Sequence, residues 1–431
     1  MYDFDVIVVG GGAAGFYGAI QIGEANKNLR VAILERGKQV LSKVKVSGGG
    51  RCNVTHAVYD PQELIENYPR GAKELLGPFH THCTGDTVAF FENRNVPLKT
   101  EADGRIFPIS DSSDSIIDCF LAETKRLNIT LLRNTPVIKL LALDERDYEN
   151  GGWKIITNKK DYTAKKVLLT TGSNQKIWDK LEGLGHKIID PVPSLFTFNI
   201  KDPRIKGIPG LSTHVRVEVI PKKTVGKEIS IDLKSRVPNT GSLSSEGPLL
   251  ITHWGVSGPA ILKLSAWGAR ELHRYHYKFR IKINWLPEYH PEGVLSHLMQ
   301  IKEVEAKKTV LRTQAVDLPR RLWINLVLAS GITRETKWAS TSKKSLEALA
   351  KQLTDSEFLV EGKSTFKEEF VTAGGVDLKE VNFKKFESKI HPNLYFAGEI
   401  LNVDAITGGF NFQNAWTGAY VAARAIANTT A

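Results

Sequence analysis

A glycine-rich loop near the N-terminus constrains the fold of this chain more than any other feature. Residues 5–15 read DVIVVGGGAAG, an apolar strand that enters Gly10-x-Gly12-x-x-Gly15, and FYGAIQIGEAN continues as a helix. In such a βαβ unit the glycines permit a tight turn, close approach of a diphosphate and helix–strand packing. A second strand, VAILE, ends in Glu35, 20 residues after Gly15. A carboxylate there binds an adenosine ribose, so the sequence predicts a dinucleotide-binding α/β fold.

A second glycine loop close to the C-terminus decides between NAD and FAD. Residues 393–418 contain a strand ending at Gly398-Glu399, then Thr407-Gly408-Gly409, then a helix expected from about Asn414. An acidic side chain after a strand can bind ribityl hydroxyls. A helix N-terminus favours the negative charge that gathers on a reduced flavin. Two such loops suit FAD, which has a long polar middle and a flavin ring.

Several further motifs resemble those of a known family. They are Lys43…Ser47-Gly48-Gly49-Gly50-Arg51-Cys52-Asn53-Val54-Thr55, Gly104-Arg105-Ile106-Phe107-Pro108, Thr252-His253-Trp254-Gly255-Val256-Ser257-Gly258-Pro259-Ala260, Thr372-Ala373-Gly374-Gly375-Val376, Glu387-Ser388-Lys389 and Ala397-Gly398-Glu399. Over nearly its whole length the chain resembles the YhiN/BaiN-type bacterial flavoproteins, also called aminoacetone-oxidase-family FAD-binding proteins or NAD(P)/FAD-dependent oxidoreductases. The resemblance implies a discontinuous FAD domain of two dinucleotide-binding folds, with an inserted antiparallel β-barrel-like domain and a small helical domain.

The residue patterns set the boundaries of these domains. The FAD domain is predicted to comprise residues 1–193 and 368–431. Short alternating runs such as FTFNI, VRVEV, EISI and FRIKINW predict an inserted antiparallel β domain over 194–286 and 356–367. Apolar residues at helical spacing predict a helical subdomain over 287–355.

The glycine motifs and the resemblance together predict the cofactor-binding residues. They are Gly10, Gly12, Ala13, Ala14, Gly15, Glu35, Arg36, Lys43, Ser47, Gly48, Gly49, Gly50, Arg51, Cys52, Asn53, Val137, Thr171, Gly172, Gly398, Glu399, Asp404, Thr407, Gly408, Gly409, Asn411 and Gln413. We expect Arg51 to pair with the diphosphate and Glu399 to bind the ribityl chain. Asp404 is either a helix cap or a polar group of the flavin site.

No catalytic residue stands out, and three residues are weak candidates. His253 is either an acid or base beside the flavin or a structural histidine, and the structural role is slightly favoured. Arg105 is placed on the substrate side by the resemblance alone. Cys52 is a candidate redox thiol, but no second cysteine is near, so a packing role is favoured. The three cysteines show no metal-binding spacing.

One loop departs from the family pattern. Members usually follow the strand and its Thr-Gly turn with a segment resembling SYPxTGSTGDG. Here Thr171-Gly172 runs directly into SNQKIWDKLEGLGH. The turn that would touch the cofactor remains, but the loop expected near flavin and substrate is shortened, which predicts a different substrate range.

Composition narrows the class of function. The chain has 42% hydrophobic and 24% charged residues, no run long enough for a membrane helix and no room for a signal peptide, and we expect a cytoplasmic protein. The net charge of +11 comes from scattered basic pairs, which favours a solvated surface over a nucleic-acid-binding one. The leading hypothesis is therefore a FAD-dependent oxidoreductase that exchanges hydride with a small organic substrate at flavin N5.

Two alternatives and the electron source stay open. An RNA-directed flavoenzyme and a non-enzymatic flavin-binding redox protein are the alternatives. No second GxGxxG precedes another strand–helix unit. Reducing equivalents are therefore expected from the substrate or from NAD(P)H that docks transiently.

Overall fold

The structure, a computed structural model, describes residues 2–143, 151–220, 223–224, 227–228, 242–364 and 371–428. The chain divides into two compact units. Unit 1 is Met1–Val192 with Lys367–Ala431, and unit 2 is Pro193–Phe366. The first division lies one residue from the predicted insertion point. The second falls among residues outside the described ranges.

Unit 1 is built on a parallel sheet. The strands of unit 1, within this sheet and outside it, are β1 (Phe4–Val9), β2 (Val31–Leu34), β3 (Thr55–His56), β4 (Leu98–Thr100), β5 (Arg105–Pro108), β6 (Thr130–Leu132), β7 (Val137–Leu143), β8 (Gly152–Thr157), β9 (Asp161–Leu169), β10 (Ile188–Ser194, which runs into the start of unit 2), β20 (Val371–Val376), β21 (Val381–Asn382), β22 (Glu387–Ser388) and β23 (Leu394–Phe396). The parallel strands lie in the order β23-β9-β1-β2-β6. This is the 3-2-1-4-5 order of dinucleotide-binding folds, read from the other edge.

The helices of unit 1 pack on this sheet. They are α1 (Ala13–Ala25), α2 (Ser42–Gly50), α3 (Pro61–Ile65), α4 (Ala72–Thr81), α5 (Thr84–Glu92), α6 (Asp114–Arg126), α7 (Gln175–Gly183) and α13 (Phe410–Asn428). Helix α1 packs extensively against α13. Gly18 permits the close packing of α1 on the sheet, since a Cβ there would lie 2.8 Å from the Leu168 side chain of β9. The first and last segments of the chain thus share one core.

Unit 2 contains an antiparallel sheet. Its strands are β11 (Thr197–Asn199), β12 (Ser212–Ile220), β13 (Lys223–Thr224), β14 (Lys227–Glu228), β15 (Ser244–Ile251), β16 (Gly255–Ser257), β17 (Phe279–Asn284), β18 (Ser356–Val360) and β19 (Gly362–Ser364). Seven of them follow the order β18-β17-β12-β15-β16-β11-β19. Residues 356–364 contain both β18 and β19, so this one segment pairs with β17 through β18 and with β11 through β19.

Five described helices complete unit 2. They are α8 (Pro259–Trp267), α9 (Ala269–Arg274), α10 (Pro291–Val304), α11 (Arg320–Ala329) and α12 (Lys343–Thr354). Helix α8 begins at Pro259, within the motif of residues 252–260. Apolar residues of the sheet and the helices form one buried cluster, in which Trp285, Trp323 and Trp338 are almost fully enclosed. The helical segment predicted over 287–355 therefore shares the core of unit 2.

The predicted α/β fold class is confirmed, and some element boundaries differ. The last helix begins at Phe410 and not near Asn414, because the glycines before it end the loop four residues earlier. Pro191 and Pro193 lie inside β10. Most of the predicted strand EISI lies outside the described residues. Among the described residues, no helix combines the length and apolar character needed to cross a bilayer.

Candidate cofactor site

Four segments predicted to bind the cofactor meet at one edge of the parallel sheet. They follow the carboxyl ends of β1, β2, β9 and β23, which are neighbours in the sheet. A Cβ on Gly10 would lie only 2.6 Å from the Thr170 carbonyl oxygen, and Ala397 N donates to Leu169 O at 3.0 Å. The chain reverses its strand order between β1 and β9. Ligands of open α/β sheets bind at that switch point.

The first glycine loop is held by its own helix and by Glu35. Gly11 N donates to Glu35 Oε2 at 2.8 Å and Gly37 N donates to Glu35 Oε1 at 2.7 Å. A Cβ on Gly15 would lie 1.9 Å from the Gly10 carbonyl oxygen, so only glycine permits this helix–strand approach. At Gly12, by contrast, an added Cβ would meet nothing within 4 Å. The space above Gly12 is open to a ligand.

A charged pair joins the two ends of the chain beside this loop. Lys43 Nζ lies 2.5 Å from Glu399 Oε2, and the same oxygen is 3.5 Å from the Cβ position of Gly172. The buried Thr171 hydroxyl has no hydrogen-bond partner among the described residues. The structure thus brings four predicted residues together, and Thr171 carries an unused polar atom there.

The glycine loop of residues 47–51 interrupts helix α2. Ser47, Gly48 and Gly49 have non-helical backbone angles. An added Cβ would meet nothing within 4 Å at Gly49 or Gly50. The buried side-chain oxygen of Asn53 has no partner within the described ranges. This loop therefore also offers open backbone and an unsatisfied polar atom.

Cys52 is fully buried in the same loop. Burial raises the pKa of its thiol to about 12, so the reactive thiolate is absent at neutral pH. Its backbone has a φ of 59°, and its amide donates to Ser47 O at 3.0 Å. These contacts support the packing role that the sequence favoured over a redox role.

The C-terminal glycine loop, Thr407-Gly408-Gly409, packs on the small sheet formed by β3, β5 and β4. A Cβ on Gly409 would lie 2.6 Å from the backbone oxygen of Thr55, so the glycine permits this contact. The Thr55 hydroxyl donates to Gln413 Oε1 at 2.6 Å, and Trp416 Nε1 donates to Val54 O at 2.9 Å. The segments near residues 50, 105 and 410 therefore pack against one another, and together we call them the wall.

Three polar residues predicted at this end have protein partners. Asp404 is fully buried and forms a two-pronged ion pair with Arg70. Asn411 exchanges two hydrogen bonds with the Ala405 backbone, at 3.0 and 3.1 Å. Gln413 bonds the hydroxyls of Thr55 and Thr417. Their observed roles are structural, and contact with a cofactor stays a prediction.

Arg51 and Arg105 flank the ring of Phe107. The guanidinium carbons lie 3.9 Å and 5.4 Å from the ring centroid. Glu101 contacts both arginines, at 2.6 Å from Arg51 and 3.3 Å from Arg105. The predicted Arg51–diphosphate contact would have to replace or share this carboxylate.

His56 was missed by the sequence reasoning and lies at the centre of this wall. Its ring stacks on Phe410 with centroids 4.6 Å apart, and its Nε2 is 3.1 Å from Asp103 O. The buried Nδ1 has no partner among the described residues. Burial lowers the pKa of His56, so the ring is neutral at physiological pH. The available signal was its position three residues after Asn53 in the motif RCNVTH.

The remaining sequence candidates lie as follows. Val137 begins β7, next to the segment in which Thr135 N donates to Glu35 O at 2.8 Å. Arg36 follows Glu35 directly. His253 belongs to unit 2, where it is exposed in the turn between β15 and β16. In the described part of the chain, no group of His, Cys, Asp and Glu side chains could hold a metal ion.

These features fit FAD. The N-terminus of α1 has no side-chain cap and no acidic residue in its first turn, which leaves its amides for a diphosphate. Open glycines and unpartnered polar atoms extend from Gly12 past Thr171 to Asn53. A long polar cofactor matches that distribution better than a single nucleotide would.

Known proteins are similar to this chain over its full length. A "Ribosomal RNA dihydrouridine synthase" of Escherichia coli K12 is 28% identical over 430 residues, covering 98% of each chain. Its Haemophilus influenzae namesake is 26% identical and covers 97% of this chain and 98% of its own. A "3-dehydro-bile acid delta(4,6)-reductase" of Clostridium scindens is 25% identical, with 97% and 98% covered.

A solved structure shares the fold. The 3-ketosteroid-delta4-(5alpha)-dehydrogenase of Rhodococcus jostii RHA1 matches with a TM-score of 0.50 at 11% identity, covering 99% of this chain and 98% of that one. The parallel sheet with glycine loops at its switch point defines an enzyme of the FAD-dependent oxidoreductase class. The chain belongs to the family described as "HI0933-like protein Rossmann domain", whose model matches residues 4–425.

Proposed function

We propose that this protein is a FAD-dependent reductase that converts uridine to dihydrouridine in ribosomal RNA. The observation that carries the proposal is the distribution of charge between the two units. Unit 2 has 27 Lys and Arg against 16 Asp and Glu, whereas unit 1 has 31 of each. The whole net charge of +11 therefore belongs to the inserted unit.

Such segregation favours a polyanionic substrate. A neutral cofactor unit joined to a strongly basic unit is the pattern expected when one part binds phosphates and the other performs chemistry. Along the whole chain the basic pairs are scattered, which favoured a solvated surface. When the charges are divided between the two units, unit 2 carries the entire basic excess. The two full-length relatives named for ribosomal RNA support the same choice.

The reaction adds hydrogen across the C5–C6 bond of uracil. When bound, FAD supplies a hydride from N5 of its reduced ring. The uracil ring gains that hydride and one proton, and a transiently docked NADH or NADPH restores the electrons. We assign no separate domain to the binding of NADH or NADPH, because the sequence has no second GxGxxG.

In this reaction the residues of the chain bind the cofactor and orient the substrate. The uncapped amides of α1 and the open glycines would hold the diphosphate, and Glu35 supports the loop that carries them. Cys52, protonated at neutral pH, contributes shape and no negative charge. His56 donates from Nε2 to the Asp103 carbonyl, so its neutral ring offers Nδ1 as an acceptor, which makes His56 our candidate to accept a hydrogen bond from the N3–H of the uracil ring.

The test uses purified protein and unmodified ribosomal RNA. FAD should copurify, and heat release should yield FAD and not FMN or NAD. The protein is then reduced anaerobically with NADH or NADPH and mixed with ribosomal RNA transcribed in vitro. Mass analysis of digested RNA should find a uridine that has gained two hydrogens. Gly12→Val protein, which should lack FAD, is the matched control.

A second candidate is a reductase of small conjugated ketones. The relative named as a reductase of a 3-dehydro-bile acid favours it, since it matches over nearly the full chain. It also agrees with the leading sequence-based hypothesis, a small organic substrate of unspecified kind. Reduced protein that leaves every uridine unchanged but is reoxidised by a conjugated keto-steroid would overturn the RNA proposal and support this one.

A further inference from the structure

A tight turn in unit 2 displays an aromatic ring to solvent. Residues Thr252 to Gly255 join β15 to β16. Thr252 N donates to Gly255 O at 2.8 Å, and the Thr252 hydroxyl accepts from the amides of Trp254 and Gly255 at 3.3 and 3.2 Å. Ile200 N donates to Trp254 O at 2.9 Å. The backbone beneath the indole is therefore fixed from both sides.

The Trp254 side chain is unusual among the aromatic residues of this chain. It is 65% exposed, the highest value for any described Trp, Tyr or Phe. Six of the other seven tryptophans are almost fully buried. Leaving the largest apolar ring in water forgoes most of the free energy that its burial would contribute. The fold of unit 2 therefore gains little from this side chain, and the ring is available to a ligand.

A cleft lies beside the ring. It has a volume of about 210 Å³ and is lined by Asn199, Lys201, Trp254 and Glu361. A cavity of about 150 Å³ is enough to hold benzene. Asn199 is fixed within the cleft wall, because its Oδ1 accepts from the Ser364 hydroxyl at 2.8 Å and its backbone oxygen accepts from Glu361 N at 2.9 Å. The cleft therefore combines a flat apolar wall, an amide and one charge of each sign, on Lys201 and Glu361.

We propose that Trp254 and this cleft bind an unpaired base of the RNA substrate, with the base stacked on the indole. This inference rests on the proposed ribosomal RNA function. A π-face accepts any base. An amide can bond a base edge, and Lys201 can meet a phosphate. The basic excess of unit 2 supplies the charge complementarity that a single-stranded RNA needs. A lipid or an acidic peptide would not require a rigid aromatic ring beside an amide.

The experiment measures RNA binding by the FAD-loaded protein. The probe is a short fluorescein-labelled oligouridylate, followed by fluorescence anisotropy at low salt, and a second probe of the same length carries abasic sites. Trp254→Ala should weaken oligouridylate binding about fivefold to 150-fold, the range found when one base loses its aromatic partner. Trp254→Phe should bind within about threefold of the unchanged protein, because a ring remains. Binding of the abasic probe should differ little between Trp254→Ala and the unchanged protein.

A matched control removes another exposed ring. Tyr289 is 43% exposed on the same unit, so Tyr289→Ala tests whether any lost aromatic surface has the same effect. Equal, salt-sensitive binding by the unchanged protein and Trp254→Ala would overturn the stacking role and leave the RNA function standing. No oligouridylate binding by the unchanged protein would overturn both. Equal losses with Tyr289→Ala would overturn the specific role of Trp254. FAD content and the unfolding transition of each variant show that it is folded.

Discussion

Substitution of Gly12 should separate cofactor binding from folding. Its φ of −97° and ψ of −167° suit any residue, and an added Cβ would contact nothing in the protein. Gly12→Val and Gly12→Ala should therefore change the unfolding free energy of the FAD-free protein by no more than about 1 kcal/mol. FAD is the group that would meet the new side chain.

The expected loss of FAD affinity is large. The diphosphate should accept at least two hydrogen bonds from the amides around Gly12, and each bond to a charged group contributes about 1.5–3 kcal/mol. A branched side chain in that space should remove both, so Gly12→Val should bind FAD about 100-fold to 10,000-fold more weakly. Gly12→Ala should fall between Gly12→Val and the unchanged protein.

Gly15 provides the matched control. Its Cβ would lie 1.9 Å from the Gly10 carbonyl oxygen, so Gly15→Ala should destabilise the protein itself, with or without FAD. The assay combines chemical unfolding of each FAD-free variant with titration of FAD fluorescence. Full flavin occupancy in folded Gly12→Val, or a loss of FAD-free stability equal to that of Gly15→Ala, would refute the role assigned to this loop.

Four further predictions follow from the described contacts. Glu35→Ala should weaken FAD binding by about 1–3 kcal/mol without abolishing it, since ribose hydrogen bonds and the support of Gly11 are lost, and a titration that finds unchanged affinity would contradict this. His56→Ala should lower kcat on RNA while FAD content stays unchanged, because the ring contacts the wall and not the diphosphate loop; unaltered turnover would exclude His56. Burial lowers the pKa of His82 to about 4, so the folded state disfavours the proton that the unfolded state binds. The free energy of unfolding should therefore fall by up to about 3 kcal/mol as the pH drops from 6.5 to 4. In His82→Phe the free energy of unfolding should depend less on pH over this range. The loop after Gly172 is short, since Asn174 already caps α7, and it should leave reduced flavin exposed to oxygen. Stopped-flow measurement should find faster reoxidation in this protein than in a variant given a relative's longer loop. A reduced flavin that survives air for minutes would show that the site is closed.

Local patterns predicted the parts of the fold that depend on local physics. The β1–α1–β2 unit follows from three glycines and an apolar run, and Glu35 lies where the spacing placed it. The antiparallel character of unit 2 follows from alternating residues. In each case neighbouring residues determine the backbone, so a single sequence contains the information.

Long-range partners could not be read in this way. Lys43 and Glu399 meet across 356 positions, and Arg70 and Asp404 across 334. No local pattern indicates that Asp404 is neutralised by an arginine, or that His56 stacks on Phe410. The segregation of charge, by contrast, is readable from the sequence, because the predicted insertion over residues 194–367 has nearly the same bounds as unit 2.

The pairing of the first and last segments has a consequence for biosynthesis. Strand β23 and helix α13, which complete the sheet and cover α1, are made after all the other described elements. At about 5–20 residues per second, roughly 20–70 s pass between translation of Lys43 and of Glu399. During that interval the apolar face of α1 lacks the helix that will bury it. The nascent chain should therefore depend on chaperones until α13 leaves the ribosome, and deletion of α13 should produce aggregated protein and not merely flavin-free protein.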